Sequence, residues 1–192
     1  MRTRVGIIGC VMLLVALGAG CVPPSNPGRG RFAYVFTYFR GGGGGGVLLA
    51  VSEDGLAFRE VNGGQPILRS GLGLGLTRDP SVLLGPDGRW HMAWTSGAER
   101  EVGIASSRDL LRWTRPRSVP VMAHEPTTIN SWAPELLWDA RNDRYAIIYS
   151  STVRRLHPEG TSEPGIDGEP LEHRLYVSYS KNLRRWSEGR LF

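Results

Sequence analysis

Three things are scarce in this chain, and each scarcity closes a class of explanation. Cysteine occurs only at Cys10 and Cys21, so nothing beyond Cys21 can be held by a disulfide or a thiolate metal site. Lysine occurs only at Lys181, and the arginines are scattered rather than gathered into a basic stripe interleaved with aromatics, which argues against a nucleic-acid partner. Windows with helical periodicity are few; the apolar residues fall in short alternating or continuous runs of strand length, the pattern of an all-β chain. Neither glycine-rich stretch is followed by Gly-Lys-Ser/Thr, so neither is a phosphate loop. Gly41 to Gly46 reads as a flexible tip, and "GLGLGL" from Gly71 as a connector.

What is present begins with an N-terminus that reads as a targeting segment. Arg2 and Arg4 precede an apolar run from Val5 to Leu17, and small residues lead to Cys21. Residues 1–20 therefore read as an export signal, too short and wrongly flanked for a membrane span. A cysteine after small residues resembles a bacterial lipoprotein processing site, with Cys21 the lipidated first residue and a membrane anchor. Gly18 stands where a larger aliphatic residue is usual in that signal, so plain secretion is the alternative. Residues 21–31, with "PPSNPGRGR", have the composition of a tether. The expected location is the bacterial cell envelope or the exterior. The formal charge of +5 falls to about +3 without Arg2 and Arg4, and about 160 residues, 32–192, remain for one domain with a core. No feature of the sequence fixes an oligomeric state.

The domain repeats itself. "SEDGLAF" from Ser52, "SSRDLLRW" ending at Trp113 and "YSKNLRRW" ending at Trp186 each place Ser two residues before Asp or Asn, and an aromatic four residues further on. Upstream of each lies an aromatic and β-branched run, at Phe32, Trp90 and Tyr145, and two of these follow a further apolar run and a turn. One unit thus reads as four strands, "SVLLG", "WHMAWTS", "VGIASS" and "WTRPRSV", joined in a meander. Four-stranded units at this spacing fit a β-propeller, with a β-sandwich as the competing arrangement. Trp94, Trp113 and Trp186 fall at core positions of their blades. The first unit is expected to lack its innermost strand and the third to end on its last. That makes about two full blades and a partial one, the front of a longer protein whose C-terminal part would supply the missing strand.

The repeat frame gives two carboxylates a place. Aligning "DPSVLLGPDGRW" with "APELLWDARNDRY" sets Asp79 on Ala133, Pro80 on Pro134 and Ser81 on Glu135. In a propeller the first strand of each blade lines the central channel, so Asp79 and Glu135 are expected at one mouth, from adjacent blades, leaning the same way by the two-residue alternation of extended chain. Paired carboxylates in a concave site serve glycosidic hydrolysis, one handling the leaving oxygen and the other water or the anomeric carbon. The competing reading of Asp79 is a turn residue capping local backbone ahead of Pro80, and of Glu135 an exposed strand-start residue. Trp132 could stack on a sugar ring, or pack between blades. Asn130 and Ser131 are candidate sugar partners, and His91 reads as structural rather than as a metal ligand. The excursion from Val153 to Glu172 joins a second strand to a third and is expected to shape the cleft.

These motifs together, "RDPSVLLGPDGRWHMAWTSG", "VGIASSRDLLRWT" and "INSWAPELLWDARNDRYAIIYSS", resemble glycoside hydrolase family 43 and its five-bladed propeller relatives, over nearly all of residues 32–192. The resemblance implies inverting hydrolysis of arabinose- or xylose-type glycosides, with Asp79 as the base that activates water. It implies an Asp after Trp-Ala-Pro that tunes the general acid; here that position is Glu135, one methylene longer, which leaves a direct acid role open as well. The general acid of the family, a Glu on the following blade, has no match in this chain. A calcium ion in the channel is allowed by the resemblance alone, no residue here marks itself as its ligand, and no other cofactor is called for. A carbohydrate-binding propeller without catalysis, or an inactive truncated fragment, is the alternative function.

Overall fold

The computed structural model describes residues 13–16, 32–154, 163–164 and 170–192. Among them the fold is all-β, and the single helical element is a 3-10 turn at Asn62–Gly64. Three four-stranded antiparallel sheets follow one another along the chain. The first holds β1 (Leu13–Ala16), β2 (Phe32–Tyr38), β3 (Leu48–Ser52) and β4 (Arg59–Glu60), paired in that order. The second holds β5 (Arg78–Leu84), β6 (Trp90–Thr95), β7 (Val102–Ser107) and β8 (Arg117–Val119). The third contains β9 (Thr128–Asp139) and β10 (Arg144–Val153); β11 (Glu163–Pro164) and β12 (Pro170–Leu171) form a separate small ribbon. β13 (Arg174–Ser180) and β14 (Arg190–Leu191) complete the third sheet. The second and third sheets are the meanders expected from the repeat. The β11–β12 ribbon lies within the long excursion, whose residues 155–162 and 165–169 fall outside the described residues, as do Cys21 and the tether.

The first sheet differs from expectation. β1, from the apolar run read as an export signal, pairs antiparallel with β2 and fills the innermost position, so three sheets have four strands where two and a part were expected. The physical reason is the unpaired edge of β2, whose N–H and C=O groups an apolar extended segment can satisfy.

The second sheet is buried on both faces. Alternate residues of β6 point opposite ways: Trp90, Met92 and Trp94 join Val35, Leu49 and Val82 in the layer against the first sheet. Ala93 joins Ile104, Leu136, Ile147 and Tyr149 in the layer against the third. Every residue of β6 is consequently buried. Trp113 packs against the first layer and Trp186 against the second. Successive sheets stacked face to face in chain order bring the first strands β5 and β9 side by side.

The repeated turn has a physical explanation. Ser52, Ser107 and Ser180 each accept the N–H groups two and three residues on. Asp54, Asp109 and Asn182 likewise accept the N–H groups of residues 56 and 57, 111 and 112, and 184 and 185. Between them Gly55, Leu110 and Leu183 turn through positive φ. Ser-x-Asp/Asn is therefore the side-chain requirement of one turn conformation used three times.

Candidate active site

The start of β5 is a bulge. Arg78 pairs with Thr95 and Ser81 with Ala93, so Asp79 and Pro80 together face Trp94 alone. β9 repeats the feature: Trp132 pairs with Ser150 and Glu135 with Ile148, and Ala133 and Pro134 face Tyr149. The first residue of each bulge turns left-handed, Asp79 at φ 49° and Ala133 at φ 48°, where glycine is usual. Pro80 and Pro134 have no N–H, so the second residue of each bulge leaves no donor unpaired. The repeat alignment thus has a backbone counterpart at both positions. It also corrects the sequence argument: an extra residue interrupts the alternation, so a period of two does not decide where Asp79 points. β9 moreover begins at Thr128, so Glu135 sits within a strand rather than at its start.

The two carboxylates nevertheless belong to one hydrogen-bonded cluster that closes the gap between the second and third sheets. Thr95, the last residue of β6, donates to Asp79 Oδ2 at 2.8 Å and accepts the Ala133 N–H at 2.8 Å. Ser81 donates to Glu135 Oε2 at 3.1 Å and accepts the Leu136 N–H at 3.0 Å. Asp79 and Ser81 are two apart in sequence, as are Ala133 and Glu135, so the bonds form a ring. Sequence reading missed Thr95 and Ser81; the signal was there, since Thr37, Thr95 and Ser150 occupy equivalent places in the second strands.

The environments of the carboxylates differ. Glu135 is exposed at the surface, as its competing reading has it, yet desolvation by the surrounding protein raises its pKa, opposed by the Ser81 hydroxyl. Asp79 is half-buried, and its Oδ1 carries no hydrogen bond from the described residues. Asp79 also differs from the turn aspartates. Asp54, Asp87, Asp109 and Asp139 each accept a backbone N–H from two or three residues on, whereas Asp79 accepts none. The capping reading of Asp79 finds no bond to support it.

Asn130 and Ser131, expected as sugar partners, lie inside the protein at 1% and 0% exposure. They belong to the extension of β9 beyond the bulge, where polar side chains are engaged by backbone. Asn130 Oδ1 accepts the Thr152 N–H, and Ser131 donates to the Glu99 carbonyl in the β6–β7 loop. Asn130 Nδ2 is buried without a partner among the described residues. Trp132 is partly exposed and contacts His173, ring centroids 5.4 Å apart, and His173 Nδ1 lies 3.0 Å from Ser150 Oγ. The glycine run is not a free tip: the Gly43 carbonyl accepts both the N–H and the hydroxyl of Thr77, and the Gly42 carbonyl accepts Arg78 Nε, which docks this loop beside Asp79.

A second cleft lies elsewhere. It encloses about 690 Å³ at the opposite ends of the strands, among Asp87, Arg89, His91, Arg115, Arg117 and Arg184. His91 there is buried and bonded to Asp87 and Ser106, a structural arrangement. Asp87 is the one carboxylate among the residues lining that cleft, so it lacks a pair of carboxylates. Among the described residues no three acidic, histidine or cysteine side chains converge on one point.

Residues 31–192 match the family described as "Probable glycosyl hydrolase domain", related to glycoside hydrolase family 43. A curated relative, an alpha-L-arabinofuranosidase of Bifidobacterium longum subsp. longum, is 27% identical over 130 residues, 59% of this chain and 12% of its own. The solved alpha-L-arabinofuranosidase of Clostridium thermocellum superposes with a TM-score of 0.55 at 15% identity, over 83% of this chain and 47% of that one. An endo-1,4-beta-xylanase of Bacteroides thetaiotaomicron gives 0.56 at 17% identity, over 81% and 48%. The structural likeness is one of fold, and this chain spans about half the length of those structures and an eighth of the curated relative. With the twin bulges, the stacked meanders and a match across residues 31–192, the chain belongs to the glycosyl hydrolase family related to glycoside hydrolase family 43.

Proposed function

We propose that this chain carries the water-activating side of an inverting glycoside hydrolase of the five-bladed propeller type, acting on arabinose- or xylose-type poly- or oligosaccharides. The observation that carries the reading is the state of Asp79: a carboxylate anchored through one oxygen, free at the other, and capping no backbone. Such a group can take a proton from water through Oδ1 while Thr95 holds Oδ2. Inversion needs the two catalytic carboxyls about 6.5–9.5 Å apart so that water fits between base and sugar. Glu135, whose raised pKa favours the proton-bearing form, is the second carboxylate of the cluster. It serves either to tune an acid from a further blade or to donate a proton itself. The named substrates of the relatives, arabinofuranosides and xylan, give the sugar class, and Trp132 offers a ring for stacking at the edge of the cluster.

The proposal includes export, with residues 1–20 as signal, lipidation at Cys21 and 21–31 as tether. Removal of the signal would take β1 with it and open the innermost seat on β2 to another strand, so processed and unprocessed chains differ in their first sheet. A non-catalytic carbohydrate-binding role is the second reading, favoured by Glu135 standing where the family resemblance implies an Asp.

Release of 4-nitrophenol from aryl α-L-arabinofuranoside and β-D-xyloside by the full-length protein tests the first reading, with the anomer formed first identified by NMR. The expected result is turnover with inversion, lost by about 10²- to 10⁴-fold in Asp79→Asn. Sugar binding with no turnover in the unaltered protein would support the binding role, and undiminished turnover in Asp79→Asn would remove Asp79 from the base role.

A further inference from the structure

We propose that Thr95 is a positioning residue that fixes which oxygen of Asp79 acts as the base; the inference rests on the reading of Asp79 given above. Thr95 is buried at 3% exposure and has one hydroxyl proton. Its Oγ1 lies 2.8 Å from the Ala133 nitrogen and 2.8 Å from Asp79 Oδ2. A backbone N–H can only donate, so the hydroxyl accepts from Ala133 and its single proton goes to Asp79. Oδ2 is therefore held as an acceptor, and Oδ1 is left to water. The chain of donors, Ala133 N–H to Thr95 O–H to Asp79, crosses from the third sheet to the second, so the base is oriented by the neighbouring sheet's bulge. Among the described residues the Asp79 carboxylate has no other hydrogen bond, and Asp79 falls in the register slip between the paired residues Arg78 and Ser81.

The first sheet supplies the comparison that separates this role from simple clasping. Thr37 stands at the equivalent place in β2 and is also buried, and its hydroxyl donates to the Pro80 carbonyl at 2.9 Å, again across a gap between sheets. There the backbone partner is a carbonyl and takes the proton. At Thr95 the partner is an N–H, which reverses the bond and releases the proton to a carboxylate. Both threonines clasp adjacent sheets, and Thr95 alone of the two also orients an acid.

The experiment compares Thr95→Val, Thr95→Ser and Thr37→Val in the full-length protein, with Asp79→Asn alongside. Thr95→Val is expected to lower kcat about ten- to hundredfold with KM within about twofold, since it withdraws a hydrogen bond to a charged group. It also moves the acid limb of the pH profile upward, because the ionised base loses a donor. Thr95→Ser keeps the hydroxyl and restores kcat to within about threefold. Thr37→Val loses melting temperature comparably and leaves kcat and the acid limb unchanged. If Thr95→Val behaves like Thr37→Val, Thr95 is a clasp and the proposal is overturned. If Asp79→Asn retains turnover, it is the base assignment that fails. Carbon-13 NMR of the Asp79 carboxyl at neutral pH gives a readout independent of turnover. Its resonance moves in Thr95→Val and stays in place in Thr37→Val, and an unmoved resonance in Thr95→Val overturns the proposal. Should the valine variant not fold, Thr95→Ala carries the same comparisons.

Discussion

The bulge at Asp79 and the bulge at Ala133 have the same register slip, the same left-handed first residue and the same proline after it, and differ in one side chain. The difference separates scaffold from chemistry. Left-handed backbone is uncommon for residues with a Cβ, and Asp tolerates it better than Ala because its short polar side chain can bond locally. If the bulge needed that local bond, Ala133 could not adopt it, yet it does so within one degree of Asp79. The backbone is imposed by the sheets on either side, and the carboxylate at 79 is supernumerary to folding. A carboxylate that the fold does not need, bonded to Thr95 at the seam between two sheets, is where function is to be sought.

The sharpest test of this comparison is the stability of the variant that loses turnover. Asp79→Asn removes about 10²- to 10⁴-fold of activity and keeps its unfolding midpoint in urea close to that of the unaltered protein. A large loss of stability would mean that the two bulges are held differently and that Asp79 is structural. The next largest effect concerns the positions two residues on, where Ser81 and Glu135 are equivalent in the repeat and bonded to each other. Ser81→Ala leaves the Leu136 N–H without its partner, for which we expect about 1–3 kcal/mol of destabilisation by denaturant unfolding. It also raises the pKa of Glu135 further, since the Ser81 hydroxyl is what opposes desolvation there. Unchanged stability would show that the seam does not depend on this bond.

Much of this arrangement was legible in the sequence, and the parts that were not have physical reasons. The Ser-x-Asp/Asn spacing was visible because a turn closed by side chains fixes both residue type and distance, and Ser52, Ser107 and Ser180 all bear it out by their bonds. The alignment of Asp79 with Ala133 was visible for the same reason, through the shared proline. The bulges were hidden: a residue before proline favours extended backbone, and nothing local signals left-handed Ala or Asp without glycine. The burial of Asn130 and Ser131 was hidden as well. Polar residues suggest a wet surface, and only the pairing with Thr152 and the approach of the Glu99 carbonyl turn them inward. β1 was hidden because one apolar run suits both an export signal and a strand.

A smaller effect of opposite sign sharpens the twin-bulge comparison from its other side. Ala133→Gly removes the Cβ that disfavours φ 48°, offset in part by the greater freedom of glycine in the unfolded chain. A gain of about 0.5–1 kcal/mol is expected, measured by urea unfolding. A loss would mean that the Ala133 methyl makes contacts worth more than the backbone strain.

The smallest effect extends the comparison of equivalent positions to the outer turns, where Asp54 and Asn182 accept the same pair of N–H groups with a carboxylate in one copy and an amide in the other. The bonds to Asp54 from the backbone of Ala57 and Leu56, and from Ser52, stabilise its ionised form and lower its pKa from 3.8 to about 2. A folded-state value below the unfolded one means a stabilisation that is whole above about pH 4 and disappears as pH falls through that window towards 2. Asp54→Asn should therefore melt slightly below the unaltered protein at neutral pH, because the neutral amide oxygen accepts the same donors more weakly than a carboxylate, and should lose less melting temperature between pH 4 and pH 2. Thermal melts of both proteins across that range decide the point. Parallel curves would show that the ionised state of Asp54 adds nothing to the turn, and that the carboxylate and the amide are interchangeable there in charge as well as in hydrogen bonding.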